Sequence, residues 1–220
     1  MPLRTAEAFI LRTYPLKESD KIVSFFTREY GKRRGVARAA SRPKSRFGSS
    51  LEPLSQVRIQ YFEREGKDLS NLDHCELLSS MVASSGADLV HSVAVSLMVE
   101  VADRVLPDHE VSDPVYRLFL AVLPLLRREG PEAVWLPLTY YLYWMVRLGG
   151  YLPNFTANDL GPEALGLAQA LSQQPAAALA ADVRAQGRGG RELRQALKAA
   201  LEDHLESGLQ AWPILADLET

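Results

Sequence analysis

The hydrophobic period of the chain changes once, close to Cys75. Before this point, short runs rich in β-branched and aromatic residues alternate with turn signals, which is typical of strands. After it, apolar residues recur every three or four positions, which is typical of helices that face a core. The first such stripe consists of Leu89, Val93, Leu97 and Val101. This single switch predicts an α+β chain, with a β-rich domain at residues 1–78 and an all-helical domain at residues 79–220.

The first domain is predicted to contain five short strands. They lie at residues 6–14, 21–28, 31–40, 56–62 and 67–72. The fourth alternates most regularly, with Val57, Ile59 and Tyr61 on one face. Residues 63–66 form a hairpin signal between the last two strands. Five strands in about 80 residues predict a five-stranded OB-fold barrel, a fold that often binds single-stranded nucleic acid.

The second domain is predicted to consist of helices separated by proline and glycine signals. Ser112-Asp113-Pro114 marks one helix start, because a capping side chain precedes a proline at the first helical position. The apolar face of this helix consists of Tyr116, Phe119, Val122, Leu123 and Leu126. Further helices are expected at residues 131–148, 163–172 and 191–206, with a loop at residues 187–190.

Cysteine content and hydropathy limit the class of protein. Cys75 is the only cysteine, so an internal disulfide and a four-thiolate zinc site are both excluded. A single thiol is the usual pattern in a reducing compartment. No apolar stretch reaches the roughly 20 residues of a membrane span, and residues 1–9 show no signal-peptide pattern. A cytoplasmic protein with no membrane contact is therefore expected.

Charge is distributed unevenly, although the formal net charge is only −2. Residues 1–80 carry 15 basic and 10 acidic side chains, whereas residues 81–220 carry 10 and 17. The most basic stretch, residues 28–46, contains eight basic residues and one acidic residue. This asymmetry indicates a polyanionic partner for the first half of the chain.

Seven residues of this stretch form the candidate nucleic-acid surface: Lys32, Arg33, Arg34, Arg38, Arg42, Lys44 and Arg46. The last three lie in residues 41–54, whose serine, proline and glycine content predicts a mobile loop. Tyr30 and Phe47 flank the basic run and are candidates for stacking on bases. A solvated charged surface is the alternative interpretation, but the shortage of acids within the run favours neutralisation of phosphates with little sequence readout.

No constellation in the sequence argues for catalysis. Gly31-Lys32 lacks both the earlier glycine and the following Ser/Thr of a phosphate-binding loop. The four histidines do not follow a metal-ligand spacing. The four acidic residues within 103–113 are of a type that binds Mg²⁺, but helix capping and solvation explain them better. The chain is therefore predicted not to be an enzyme and to need no cofactor.

Several motifs within the first 155 residues together resemble the RecO family of DNA repair and recombination mediators. They are residues 18–23 (ESDKIV), 26–32 (FTREYGK), 35–38 (GVAR), 42–47 (RPKSRF), 51–53 (LEP) and 148–155 (LGGYLPNF). The order of a barrel and then a helical domain is also that of the family. Each motif is short, and their combination makes the resemblance specific.

The resemblance implies a function that composition alone does not reach. RecO-like proteins bind single- and double-stranded DNA and anneal complementary strands without ATP. They act with RecR to help load RecA onto strands coated by single-strand-binding protein, whose acidic C-terminal tail docks on the helical domain. The resemblance thus implies a nucleoid-associated bacterial mediator of the RecFOR type, in which the seven basic residues hold DNA.

The chain departs from the family pattern at one place. Many members carry four zinc-binding cysteines after the last motif, whereas residues 156–181 contain none, so no zinc is expected. A site for the acidic tail would need a cation beside an apolar hollow, and Arg127, Arg128 and Arg147 are the candidates. Their alternative role is a favourable interaction with a helix C-terminus.

Two other functions stay open from the sequence. A basic OB barrel binds phosphate in RNA as well as in DNA, so an OB-fold RNA-binding accessory protein is the main alternative. The other is an interaction scaffold whose helical domain is the working part. Comparing the affinity for matched DNA and RNA strands distinguishes the RNA-binding alternative from a DNA-binding protein. Charge reversal at Arg34 and Arg38 tests the scaffold alternative, because a scaffold would keep its function.

Overall fold

The computed structural model describes residues 2–63, 66, 68–81, 89–127 and 130–219. Two residues of the predicted hairpin signal and the first residue of the predicted fifth strand lie outside this set. The chain divides into two compact units, Met1–Ser84 with Ala102–Tyr116 and Ser85–Val101 with Arg117–Thr220. The first unit thus takes up a later segment in addition to the β-rich residues, and the predicted domain boundary at residue 78 stays a prediction.

The first unit contains a closed five-stranded barrel. Its strands are β1 (Leu3–Pro15), β2 (Lys21–Thr27), β3 (Gly31–Ala37), β4 (Gln56–Phe62) and β5 (Leu69–Ser79). Their order is β1-β2-β3-β5-β4, and β4 returns to β1. Of these strand pairs, β3 with β5 is parallel and the others are antiparallel. The predicted fold class, an OB-type barrel followed by helices, is confirmed.

The alternation of β4 builds the barrel core. Val57, Ile59 and Tyr61 are fully buried, as predicted. Arg58 points to the outer face, where it pairs with carboxylates of both neighbouring strands. Burial raises the pKa of Tyr61 to about 12, so its hydroxyl stays neutral inside the barrel.

The fifth strand is longer than predicted. The helical period was expected from about Cys75, but this residue lies in β5, pairs with Ile59 and is buried. β5 has 11 residues because it closes the barrel against both β3 and β4. Within the described residues, the first helix begins at Leu89. Burial raises the pKa of the Cys75 thiol to about 11, which makes it unreactive in the folded barrel.

Within the described residues, the first half of β3 pairs with a barrel strand on one side only. β2 pairs with the whole of β3, whereas the described pairing of β5 is with its second half. Residues 108–110 cover the open edge. The His109 N–H donates to the Lys32 carbonyl at 2.9 Å, and Lys32 and Asp108 form a parallel bridge. Backbone groups that a strand edge would otherwise expose are paired in this way.

Gly31 permits the close approach of this later segment. Its φ is +68°, and a Cβ at this position would lie 2.0 Å from the carbonyl oxygen of Glu110. A side chain here would therefore meet both left-handed strain and a backbone clash.

Six helices follow in the described part of the chain. They are α1 (Leu89–Val105), α2 (Asp113–Leu126), α3 (Trp135–Leu148), α4 (Pro162–Gln173), α5 (Arg188–Leu205) and α6 (Trp212–Leu218). α2 begins at the predicted capping signal, and its five predicted apolar residues are all buried. Leu89 of the predicted α1 stripe is exposed, and the other three residues of that stripe are buried. α6 was not predicted, because seven residues are too few to show a helical period.

Residues 188–190 begin α5 and do not form the predicted loop. Gly189 and Gly190 are buried, and a Cβ on Gly190 would lie 2.2 Å from the carbonyl oxygen of Ala185. The glycines let the start of the helix pack directly against a neighbouring backbone. Sequence alone predicts a breaker here because glycine in a helix interior is intrinsically unfavourable.

A buried ion pair joins α5 to the residues after α6. Arg194 is completely buried and pairs with Glu219. Its guanidinium also donates to the Thr139 hydroxyl at 2.7 Å and to the Ala185 carbonyl at 2.6 Å, and it lies 4.8 Å from the centre of the Trp135 ring. Burial lowers the pKa of Arg194 to about 9, which leaves the group charged at neutral pH.

Gly31→Ala is expected to lower the free energy of unfolding of the barrel by about 3 kcal/mol, because strain and a clash add together. Gly48→Ala is the matched control. Its φ is +47°, and an added Cβ meets no described atom within 4 Å, so about 1 kcal/mol is expected. Labelling of Cys75 with a thiol reagent measures barrel opening. Equal labelling rates for the two variants would show that glycine at position 31 is not needed for the contact between β3 and residues 108–110.

Arg194→Met is expected to lower the free energy of unfolding of the second unit by about 3–5 kcal/mol, because Glu219 is left charged and buried. The double variant Arg194→Met/Glu219→Gln is expected to recover much of this loss. All three tryptophans lie in the second unit, so denaturant unfolding followed by tryptophan fluorescence reports on it selectively. Lys198→Met breaks a helix-surface pair with Glu202 and is the control. An equal loss of unfolding free energy in Lys198→Met and Arg194→Met would contradict a special role for Arg194.

Candidate nucleic-acid interface

Hydrogen-bonded turns hold the basic stretch that follows β3. The Ala39 N–H donates to the Asp20 carboxylate at 2.8 Å, and the Ser41 N–H donates to the Ser19 carbonyl at 3.0 Å. At the far end, Phe47 is buried in the barrel core. Hydrogen-bonded turns occupy the region predicted to be a mobile loop, and its mobility stays a prediction. The predicted stacking of Phe47 on bases is wrong, because its ring anchors these turns in the core.

Three cations on these turns are exposed, and we call Arg38, Arg42 and Lys44 the turn cations. Among the residues that the structure describes, no carboxylate pairs with any of them. They follow the end of β3 and lie beside the connection between β1 and β2, through the contacts of Asp20 and Ser19. OB barrels commonly bind oligonucleotides on the face of strands 2 and 3 and at the loops between strands 1 and 2 and between strands 4 and 5. The turn cations lie beside the first of these loops.

Arg34 and Arg46 are half-exposed and loosely paired. Arg34 Nη2 lies 3.8 Å from Asp108 Oδ2, and Arg46 Nη1 lies 3.7 Å from Asp73 Oδ1. Both distances are too long for a hydrogen bond. Exposed pairs of this kind contribute about 0–1 kcal/mol, so a phosphate can displace either carboxylate.

Lys32 belongs to the barrel wall. Its side chain is buried, and its Nζ donates to the Asp103 carbonyl at 2.6 Å and lies 3.2 Å from Asp108 Oδ1. The Asp103 carboxylate in turn accepts from the hydroxyls of Tyr14, at 3.0 Å, and Ser24, at 2.7 Å. Strands β1, β2 and β3 all meet the last turn of α1 here. A buried ammonium needs such partners, and its place argues for a structural role.

Arg33 is also largely covered, with 15% of its side chain exposed. Its Nη1 lies 3.1 Å from Glu63 Oε1 and 2.6 Å from His109 Nδ1, and its Nε donates to the Tyr30 carbonyl at 3.0 Å. Tyr30 itself packs against the barrel core. We therefore leave Lys32 and Arg33 out of the proposed DNA surface. The exposed basic surface consists of Arg34, Arg38, Arg42, Lys44 and Arg46.

Three of the four acidic residues within 103–113 contact residues of the barrel or its turns. Besides the contacts of Asp103 and Asp108, Asp113 accepts from Arg28 Nε at 2.8 Å. Within the described residues, no group of three or more His, Cys, Asp or Glu side chains is arranged to hold a metal ion. In the same part of the chain, no helix combines the length and the apolar character that a bilayer span requires.

The three arginines predicted for partner binding have different surroundings. Arg147 is exposed in the last turn of α3, where it lies 4.9 Å from the centre of the Trp144 ring and 3.4 Å from the Tyr143 hydroxyl. Arg127 is half-buried just after α2, and Arg128 lies outside the described residues. A role in binding a partner stays a prediction for all three.

Two family models match the chain. Residues 1–81 match the N-terminal model of recombination protein O, and residues 86–158 match its C-terminal model. The first match takes in the whole barrel, and the second takes in α1 to α3. Together they account for more than two thirds of the chain.

Curated relatives are similar over a region of comparable length. The DNA repair protein RecO of Koribacter versatilis is 49% identical over 152 residues, which are 69% of this chain and 61% of the relative. The protein of the same name from Cutibacterium acnes is 35% identical over 158 residues, 70% of this chain and 63% of the relative. The chain thus spans less than two thirds of the length of these relatives. With both halves of the family pattern present in their expected order, the chain belongs to the RecO family.

Proposed function

We propose that the chain is a DNA repair and homologous recombination mediator of the RecFOR type, which binds single- and double-stranded DNA through the exposed basic surface. The observation that carries this proposal is the position of the turn cations, which follow β3 of an OB-type barrel and pair with no carboxylate of the described residues. Membership of the RecO family supports a role in DNA repair, because the relatives compared above are named for it.

Binding is expected to be directed at the phosphate backbone. Arginine and lysine neutralise phosphates and release condensed counterions, which gives affinity without sequence readout. Contacts of Asp20 and the buried ring of Phe47 fix the backbone of these turns before any ligand arrives. Less backbone freedom is therefore lost on binding.

Strand annealing follows from the same charges. Two complementary strands repel one another through their phosphates, and a surface that neutralises phosphates lowers this repulsion. Contacts to the backbone leave the base edges free to pair. Pairing of complementary bases then proceeds downhill, so the proposed activity needs neither ATP nor a catalytic residue, and the chain is proposed to act as a non-enzymatic protein.

The partners are part of the proposal. The chain is proposed to act with RecR in the cytoplasm, at the nucleoid, and to help load RecA onto strands coated by single-strand-binding protein. For the acidic tail of the latter, Arg147 is the preferred site, because an exposed guanidinium beside Trp144 offers a carboxylate both charge and an aromatic neighbour. Arg127 and Arg128 are kept as secondary candidates.

The triple variant Arg38→Gln/Arg42→Gln/Lys44→Gln is expected to weaken binding of a labelled thymidine homopolymer and to flatten its salt dependence. Each phosphate contact with a single strand contributes about −0.7 to the slope of log K against log salt, so loss of three contacts changes the slope by about 2. Fluorescence anisotropy across a salt series measures both quantities. Arg58→Gln removes a cation already paired with carboxylates of neighbouring strands, and it should leave the slope unchanged.

A wild-type slope near zero, or equal slopes for the triple variant and Arg58→Gln, would contradict DNA binding by this surface. A uridine homopolymer of the same length separates the two nucleic acids, since tighter binding of RNA would favour an RNA-binding accessory protein. Annealing of two complementary oligonucleotides without ATP then tests the activity itself. Annealing by the wild type that is lost in the triple variant and weakened by salt supports the mediator function.

A further inference from the structure

Asp108 contacts two basic residues of β3 at the same time. Its Oδ1 lies 3.2 Å from Lys32 Nζ, and its Oδ2 lies 3.8 Å from Arg34 Nη2. The two cations differ sharply in exposure, with 5% of the Lys32 side chain and 45% of the Arg34 side chain accessible. A single carboxylate thus bridges a cation of the barrel wall and a cation of the exposed basic surface.

The backbone fixes the position of Asp108. The parallel bridge with Lys32 and the hydrogen bond from the His109 N–H to the Lys32 carbonyl hold this segment against β3. Gly31 leaves room for the next residue to approach. Lys32 is held independently, because its Nζ also donates to the Asp103 carbonyl at 2.6 Å. The carboxylate is therefore placed beside Arg34 in advance, as a preorganised anion.

The contact with Arg34 is the exchangeable half of this arrangement. Its length exceeds that of a hydrogen bond, and both side chains are nearly half exposed, so the pair is weak. When Arg34 turns toward a phosphate, Asp108 keeps Lys32 as its counter-ion, and no buried charge is left unpaired. A phosphate and the Asp108 carboxylate therefore compete for the same guanidinium.

We infer that Asp108 is an internal competitor for the phosphate site of Arg34, which lowers the affinity of the exposed basic surface for a nucleic-acid backbone and favours release. The inference rests on the proposed DNA binding by this surface and adds to it a residue that sets its strength. A protein that brings two strands together must also leave the duplex, and a built-in anion that returns to Arg34 assists this departure.

Asp108→Asn is expected to tighten binding of a labelled thymidine homopolymer about two- to five-fold at low salt. The salt slope should steepen by about 0.7, because Arg34 then adds its full share of counterion release. The amide is isosteric with the carboxylate, and its oxygen still accepts from Lys32. Residues 108–110 should therefore stay in place against β3. In an Arg34→Gln background the same change is expected to have no effect. Glu52→Gln, which removes an exposed acid eight positions after Lys44 in the chain, controls for a general effect of charge on binding.

Three outcomes decide the matter. Equal tightening by Asp108→Asn and Glu52→Gln, or tightening that persists in Arg34→Gln, shows a general field effect and overturns the inference, while DNA binding by the surface stands. If the triple variant binds like the wild type, the inference and the proposed function both fall. Labelling of Cys75 shows whether Asp108→Asn keeps the barrel closed, and Asp108→Ser replaces it in the same cycle if it does not.

Discussion

The contact between the first half of β3 and residues 108–110 is the interaction on which the rest of the first unit depends. In the described part of the barrel, β5 pairs with the second half of β3 and not with the first. The later segment supplies partners for this first half, through the His109 N–H, the Asp103 carbonyl and the Asp108 carboxylate. Buried polar groups are costly unless they are paired, so the segment belongs to the barrel energetically as well as spatially.

This contact also divides the basic residues into two kinds. Lys32 and Arg33 are held by Asp103, Glu63 and His109 at low exposure, where their charges stabilise the barrel wall. The turn cations lie only a few residues further along the chain and remain exposed. One short basic run therefore holds structural cations and candidate phosphate contacts next to each other, and composition cannot tell them apart.

The fold class and the apolar faces of β4 and α2 were predictable because they depend on local periodicity and capping. The predictions that were wrong depend on residues far apart in the chain. The basic run appeared to lack acids, yet the Glu63 carboxylate pairs with Arg33 from 30 positions away, and the Asp108 carboxylate pairs with Lys32 from 76 positions away. Phe47 looked available for stacking because nothing local indicates that its turn folds back onto the core. The acids within 103–113 carried a usable signal, since two of them, Asp108 and Asp113, pair with cations of the basic run.

For a surface that binds a polyanion, the number of exposed cations is not the number that drives binding. A cation already matched by a carboxylate exchanges one anion for another when it meets a phosphate, and this exchange releases little net salt. The turn cations would therefore contribute fully to the binding of a polyanion. Arg34 and Arg46 would contribute only to the extent that their ion pairs with Asp108 and Asp73 break. The carboxylates at the edge of the basic surface are therefore part of its binding chemistry. Under the proposed DNA binding, they lower the affinity of the surface, so that a bound strand can still be released.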